Sequence, residues 1–383
     1  MIPRHVLLLA LVFSFALIGV EARAQLFETK AAQAFMIDAE TGSVLFSLNP
    51  DALIQPASLA KLMTMEMAFN AIKSGRLSLD DTFVVSEHAW RTGGAPSRTS
   101  TMFAALKSEI RLEDLIRGVT IQAANDGCIV IAEGMAGSEE NFARQMTERA
   151  RQIGLEKSTF VNSTGLPAPG QQTTVRELVM LARHIWRNYP SLYRYYGEQE
   201  FTWNKIRQLN RNPLLAMGGD GLVLGASEQD GFGIVGSAEQ GGRRVIAALS
   251  VLKDDKERAE EARKLLEWGL RSFERTTIFA DGEIVGQAQV FAGTKSTVPL
   301  KAEGPVELLL PIASRDKITA RIVYTGPLPA PVEEGQRVGR LKVWIGDTLS
   351  QEMPLYAAES VPIGTLPHRA LDALKELAVG WLR

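Results

Sequence analysis

The chain has 383 residues, of which 45% are hydrophobic and 22% charged, and its formal net charge is −2 at pH 7. This composition is typical of a globular protein, and the near-neutral charge gives no sign of the basic surface that nucleic-acid binding calls for. The single cysteine excludes an intrachain disulfide, and the four histidines lie in no metal-ligand spacing, so we expect neither a metal site nor a cofactor.

The first 24 residues are predicted to be a signal peptide. A short basic start over residues 1–4 precedes an apolar run over 6–20, and Ala22 and Ala24 form the small-x-small pattern of a cleavage site. The apolar run is shorter than the roughly 20 residues of a membrane-spanning helix. We therefore expect cleavage after Ala24 and export to a bacterial periplasm.

Residues 25–274 show the pattern of an α/β domain. Turn-forming residues between strand-like runs predict a hairpin over 31–48, and two more strands are predicted over 231–238 and 244–251. Apolar periodicity predicts helices over residues 58–73, 112–136, 139–153, 175–188 and 256–273. Helices between early and late strands indicate a mainly antiparallel sheet with flanking helices.

Residues 275–360 are predicted to form a small all-β domain, because short strand-like runs alternate there with Gly, Pro and Asp turns. Residues 361–383 form a tail that becomes helical from Leu366. One face of this helix is apolar and comprises Leu371, Leu374, Ala378, Trp381 and Leu382. Such a helix can lie in a membrane interface or pack on its own domain, and the periodicity alone favours neither.

Ser58 and Lys61 are the candidate nucleophile and base. Ser58 begins the predicted helix over 58–73, so its N–H lies at a helix N-terminus, and Lys61 follows three residues later on the same face. A serine needs a base, and a lysine can serve if burial lowers its pKa. The same spacing also arises when a capping serine precedes a solvated lysine, so the pair alone does not decide its role.

The surrounding residues carry a family resemblance that runs from about Ala31 through the tail. Its ordered blocks lie at residues 56–64, 115–118, 125–126, 136–140, 210–215, 219–222 and 264–269. In these blocks the chain resembles the D-alanyl-D-alanine carboxypeptidases, the low-molecular-mass penicillin-binding proteins of the β-lactamase/transpeptidase-like superfamily. The resemblance implies a transpeptidase-like domain, a small all-β domain and an amphipathic C-terminal helix.

The resemblance also implies an activity, partners and a location. The enzyme would remove the terminal D-alanine of peptidoglycan stem pentapeptides through an acyl-serine, in cell-wall remodelling and cell-shape maintenance. β-Lactam antibiotics would acylate the same serine. Residues 366–383 would contact the membrane and hold the protein peripherally on the outer face of the inner membrane.

Six residues are carried over from the family by position. Ser58 would be acylated, Lys61 would accept its proton, and Asn125 would bind the substrate amide. The backbone N–H groups of Ser58 and Ala226 would form the oxyanion hole.

Two further positions concern the substrate. Gly225 would permit close approach of the backbone. Arg258 would hold the terminal carboxylate, and the alternative for it is a surface helix residue paired with Glu261.

The chain departs from the family at two motifs. Ala123 stands where a serine relays a proton to the leaving amine, and Val223-Leu224-Gly225 stands where the family has Lys-Thr-Gly. Loss of one such partner typically slows an enzyme by about a hundredfold to a thousandfold. Cations that could replace the lysine are Arg207, Arg211 and Arg258.

Three hypotheses follow from these departures. The first is a carboxypeptidase of uncertain efficiency, and the second is a scaffold or sensor that binds peptidoglycan or penicillin with impaired or no turnover. The third, a β-lactamase, shares the nucleophile, but the appended β domain and amphipathic tail argue against it.

Overall fold

The computed structural model describes residues 27–228, 231–312, 318–367, 369–370 and 372–373. The predicted signal peptide lies outside these residues, as do all five side chains of the apolar face predicted for the tail. The described start of the tail contacts the β domain, since the Ala292 N–H donates to Asp372 Oδ2 at 3.1 Å. No helix within the described ranges is both long and apolar enough to cross a membrane.

The helices of the N-terminal domain all end before residue 272, and the described tail residues 366–367, 369–370 and 372–373 are helical as well. The helices of the N-terminal domain are α1 Lys61–Lys73, α2 Glu87–Thr92, α3 Leu112–Gln122, α4 Asn125–Ala136, α5 Glu139–Gln152, α6 Val175–Asn188, α7 Pro190–Tyr193 and α8 Asp255–Arg271.

The strands occur in both domains. They are β1 Gln33–Asp38, β2 Val44–Leu48, β3 Thr82–Val84, β4 Glu109–Arg111, β5 Glu200–Trp203, β6 Ile206–Leu209, β7 Gly219–Ser227, β8 Gly231–Gln240, β9 Arg243–Leu252, β10 Phe273–Phe279, β11 Ile284–Phe291, β12 Thr297–Ala302, β13 Val306–Pro311, β14 Ile318–Tyr324, β15 Leu328–Pro329, β16 Arg337–Ile345 and β17 Thr348–Ala357.

The frame of the N-terminal domain is a five-stranded sheet in the order β2-β1-β9-β8-β7, which is antiparallel, as predicted. Because successive side chains of a strand point to opposite faces, Phe35 and Ile37 join the core on one face, and Ala34 and Met36 join the core on the other. Helix α6 packs on β1 and β9, and α8 packs on β8 and β9. Both faces of the sheet are therefore covered.

Strand β7 was not predicted. It is an edge strand that includes Gly219, Gly221 and Gly225, and its pairing with β8 is irregular between Gly221 and Val223. Glycines and a bulge interrupt the alternation of apolar and polar residues on which strand prediction depends. The family's Lys-Thr-Gly position lies in this strand.

The prediction of one helix over 112–136 was wrong. Helix α3 ends at Gln122, Ala123 adopts the left-handed conformation with φ 56° and ψ 37°, and α4 begins at Asn125. Alanine is a strong helix former, so local propensity contains no sign of this break. The first turn of the helix predicted over 58–73 is likewise a 3₁₀ turn over Ala57–Ala60, and α1 follows it.

The C-terminal domain is all-β, as predicted. Its six-stranded sheet has the order β14-β16-β17-β12-β11-β15, and β10 pairs with β13 separately. Strand β10 begins at Phe273, whose ring contacts Trp268 of α8 with centroids 4.9 Å apart. An ion pair of 2.7 Å between Arg275 and Glu40 also joins the two domains.

Candidate active site

Ser58 lies in the 3₁₀ turn that precedes α1. In a 3₁₀ turn, side chains three residues apart are eclipsed, so Lys61 lies directly over Ser58. The Lys61 Nζ is 2.8 Å from the Ser58 Oγ. The turn therefore brings together the two side chains whose spacing singled them out.

Lys61 is deeply buried, with 2% of its surface exposed. Burial lowers the pKa of this amine to about 8, because a charge is poorly solvated there, and the nearby Cys128 opposes the effect. The Nζ also donates to the Thr164 carbonyl oxygen at 2.6 Å. In the fraction of molecules that is deprotonated near pH 8, this amine has a lone pair available to the Ser58 hydroxyl.

A loop over residues 162–166 packs against the 3₁₀ turn over Ala57–Ala60, called here the catalytic turn, and against the start of α1. Besides the Thr164 carbonyl, the Ser163 carbonyl accepts from Thr64 Oγ1 of α1 at 2.6 Å. Gly165 has φ +79°, and a Cβ built on it would lie 1.7 Å from the Ala57 oxygen. Sequence reasoning missed this loop, since about a hundred residues separate it from Ser58 and only Gly165 signals a special backbone position.

Asn125 is the first residue of α4 and is 3% exposed. Its backbone N–H donates to the Ser100 carbonyl at 2.8 Å, and its Nδ2 donates to Thr99 Oγ1 at 2.9 Å. Its Oδ1 is buried and accepts no hydrogen bond from any described residue. An unsatisfied buried acceptor suits the N–H of a bound amide, and the substrate-binding role of Asn125 stays a prediction. Thr99 and Ser100 were not predicted.

Gly225 lets β7 lie against the catalytic turn. A Cβ at this position would be 2.9 Å from Leu59 Cγ and 3.2 Å from the Pro56 oxygen. Ala226 follows and, like Ser58, lines a cavity of about 510 Å³. The two residues predicted to supply oxyanion-hole N–H groups therefore face the same space.

The cavity lies among the catalytic turn, the end of α3, β7 and the start of α8. Its lining residues are Ser58, Ser100, Val119, Thr120, Ile121, Ala123, Asn210, Arg211, Asn212, Pro213, Leu222, Val223, Leu224, Gly225, Ala226, Phe232, Asp255, Arg258 and Ala259. The three positions that depart from the family motifs all belong to this lining. At these positions, where the family has a lysine and two hydroxyls, the side chains Ala123, Val223 and Leu224 are apolar.

Arg258 reaches the cavity, but its guanidinium is already engaged. Its Nη1 donates to the Gly225 carbonyl at 3.2 Å, and its Nη2 pairs with Asp255. Glu261, the alternative partner, pairs with Lys264 at 3.0 Å instead. Burial lowers the pKa of the Arg258 guanidinium relative to an exposed arginine. Arg258 thus links α8 to Gly225 of β7.

The other two candidate cations differ in position. Arg207 pairs with Glu200 on the β5–β6 hairpin and does not line the cavity. Arg211 does line it and donates from Nη1 to Ser100 Oγ at 3.2 Å.

Comparison with known families agrees with both domains. Residues 20–255 match a family described as D-alanyl-D-alanine carboxypeptidase, and residues 273–362 match the C-terminal domain of penicillin-binding protein 5.

Individual relatives span from 64% to 88% of this chain. The D-alanyl-D-alanine carboxypeptidase DacC of Escherichia coli is 37% identical over 343 residues, which are 88% of this chain and 86% of the relative. The crystal structure of penicillin-binding protein 5 from Haemophilus influenzae superposes with a TM-score of 0.75 at 31% identity, covering 88% of this chain and 99% of that one. Penicillin-binding protein D2 from Listeria monocytogenes, solved in a cefotaxime-bound form, has a TM-score of 0.58 at 25% identity over 64% of this chain and 98% of its own.

Proposed function

Because the chain belongs to the D-alanyl-D-alanine carboxypeptidase family, we propose that Ser58 is its acylated nucleophile and that Lys61 is the base that activates it. The protein is a serine-type D-Ala-D-Ala carboxypeptidase that acts on peptidoglycan stem peptides and is acylated by β-lactams. The observation that supports the residue assignment best is the 2.8 Å contact between the Lys61 Nζ and the Ser58 Oγ, made by a buried amine.

Acylation begins with the neutral form of Lys61. Its Nζ takes the Ser58 hydroxyl proton as the Oγ attacks the carbonyl carbon of the penultimate D-alanine. The resulting oxyanion is bound by the N–H groups of Ser58 and Ala226. When the C–N bond breaks, the Lys61 ammonium returns the proton to the amine of the departing D-alanine, and an ester on Ser58 remains.

Deacylation repeats these steps with water. Lys61 accepts a proton from the water that attacks the ester carbonyl, and the proton then returns to the Ser58 Oγ as the ester bond breaks. Ala123, Val223 and Leu224, which stand where this chain differs from the family motifs, take no part in acylation or deacylation. The reaction is therefore expected to be slow but complete, since losses within one catalytic unit are not additive.

We place this activity in the periplasm, on the outer face of the inner membrane. The pattern of the first 24 residues supports export, and the apolar face of the tail supports attachment at the membrane surface. Attachment of this kind would hold the active site over the cell wall.

Release of D-alanine tests the proposed function. Purified protein without its signal peptide should release D-alanine from a diacyl-Lys-D-Ala-D-Ala peptide. Ser58→Ala should abolish the release, because no ester can form. Equal release by both proteins, or none by either, would contradict the proposal.

A further inference from the structure

Besides Arg258, the active-site cavity is lined by Arg211, whose charge is not paired with any described carboxylate. Arg207 pairs with Glu200 and Arg258 pairs with Asp255, whereas no described carboxylate lies within ion-pair distance of Arg211. Arg211 is exposed, lines the cavity together with Ser58, and immediately precedes the segment that leads into β7. Its cationic group is therefore available to a bound anion.

Ser100, the one described partner of Arg211, is held firmly. Its carbonyl accepts from the Asn125 N–H at 2.8 Å. On one side Thr99 accepts from the Asn125 amide at 2.9 Å, and on the other Thr101 donates to Asp126 at 2.5 Å. The Ser100 backbone and the side chains of its two neighbours are thus bonded to the start of α4, and the Ser100 hydroxyl accepts from Arg211 Nη1 at 3.2 Å.

The bound stem peptide has a terminal carboxylate that needs a partner. The wall formed by Val223 and Leu224 has no polar side chain to offer. The Nη groups of Arg258 already donate to the Gly225 carbonyl and to Asp255. A guanidinium is well suited to the task, since its fork of N–H groups matches the two oxygens of a carboxylate.

We propose that Arg211 binds the terminal carboxylate of the stem peptide, in place of the lysine and hydroxyl missing at Val223 and Leu224, and that Ser100 positions its guanidinium. This inference rests on the proposed carboxypeptidase function. In this view Arg211, which precedes β7, serves the same subsite that the missing lysine of β7 would have served.

The test compares two peptides, diacyl-Lys-D-Ala-D-Ala with a free C-terminal carboxylate and the same peptide with a C-terminal carboxamide. Arg211→Gln should lower kcat/KM for the carboxylate by about tenfold to a hundredfold, as expected for loss of a charged hydrogen-bonded partner. It should change kcat/KM for the carboxamide far less, so the preference for the carboxylate disappears. Arg211→Lys should restore part of that preference, and Ser100→Ala should raise KM for the carboxylate several-fold.

Arg207→Gln is the matched control, because it removes a nearby exposed arginine that does not line the cavity, and it should leave both values unchanged. An equal loss on the two peptides in Arg211→Gln, or no loss on either, would overturn the inference. If the wild-type protein releases no D-alanine, the proposed function fails, but the inference is still tested by acylation with benzylpenicillin and its methyl ester. Arg211→Gln should then slow only the free acid, and a wild-type protein inert to both penicillins would overturn the inference as well.

Discussion

Among single residues, the buried amine of Lys61 decides whether Ser58 can be activated. A buried ammonium is costly unless a counter-charge compensates it, and no described carboxylate lies within 4.0 Å of this amine. Its pKa falls to about 8 because burial is the dominant influence on it. The residue is therefore a base of moderate strength that is partly neutral at physiological pH.

The rate of acylation should depend on pH through this amine. Because only neutral Lys61 can accept the Ser58 proton, the second-order rate of acylation by benzylpenicillin should rise about tenfold from pH 6 to pH 7 and level off above about pH 9. Stopped-flow or intact-mass time courses measure this rate. Lys61→Arg, which stays charged throughout, should be inert at every pH. A flat profile in the wild-type protein would contradict the assignment of the base.

Single residues also show how far sequence reasoning extends. The Ser58–Lys61 contact was predictable, because both residues lie in one turn and their spacing sets their geometry. The Thr164 carbonyl was not, since any residue has a carbonyl and only folding brings this one to the lysine. Arg258 lines the cavity, while its predicted contact with the substrate carboxylate stays a prediction. Its pairing with Asp255 rather than Glu261 depends on a side-chain direction that the spacing leaves open.

Among the elements, the sequence predicted those with strong periodicity and missed those that shape the site. The hairpin of β1 and β2 and the helices α5, α6 and α8 were found to within two residues of their ends. The break at Ala123 and the edge strand β7 were missed. Both depart from regular structure at the cavity, where backbone position matters more than apolar patterning.

The loop over residues 162–166 offers a test at this scale. Gly165→Ala forces an added methyl group against the Ala57 oxygen and strains a backbone with φ +79°, so it should lower the free energy of unfolding by about 3 kcal/mol or more. Acylation by benzylpenicillin should slow as well, because the catalytic turn shifts. Urea denaturation and intact-mass time courses measure the two effects.

Gly170→Ala is the matched control for this loop. Gly170 has a similar φ of +85°, but a Cβ there would have no neighbour within 4 Å. Only the backbone strain of about 1 kcal/mol applies. If the two variants lose equal stability and acylation rate, the contact between Gly165 and Ala57 does not support the active site.

In the molecule as a whole, the catalytic and β domains meet beside the β1–β2 turn. The Arg275–Glu40 pair and a hydrogen bond of 3.2 Å from Gln351 to the Thr41 carbonyl join them there. All six predicted site residues lie in the first domain. The boundary at residue 275 remains a prediction, and Phe273 of β10 packs into the core of the first domain with Leu309.

The tail should hold the whole molecule at a membrane surface. Protein without its signal peptide should sediment with vesicles of phosphatidylethanolamine and phosphatidylglycerol, whereas a chain ending at Thr365 should remain in solution, because it lacks the apolar face. Leu374→Asp, which places a charge on that face, should bind at least about tenfold more weakly. Equal sedimentation of the full and shortened chains would show that the tail does not attach the protein to the membrane.

The acyl-enzyme at Ser58 is the central claim, and mass spectrometry after incubation with benzylpenicillin tests it most directly. The intact protein should gain the mass of one penicillin, peptide mapping should place the adduct on Ser58, and Ser58→Ala should gain none. An adduct on another residue, or no adduct at millimolar penicillin, would contradict the account.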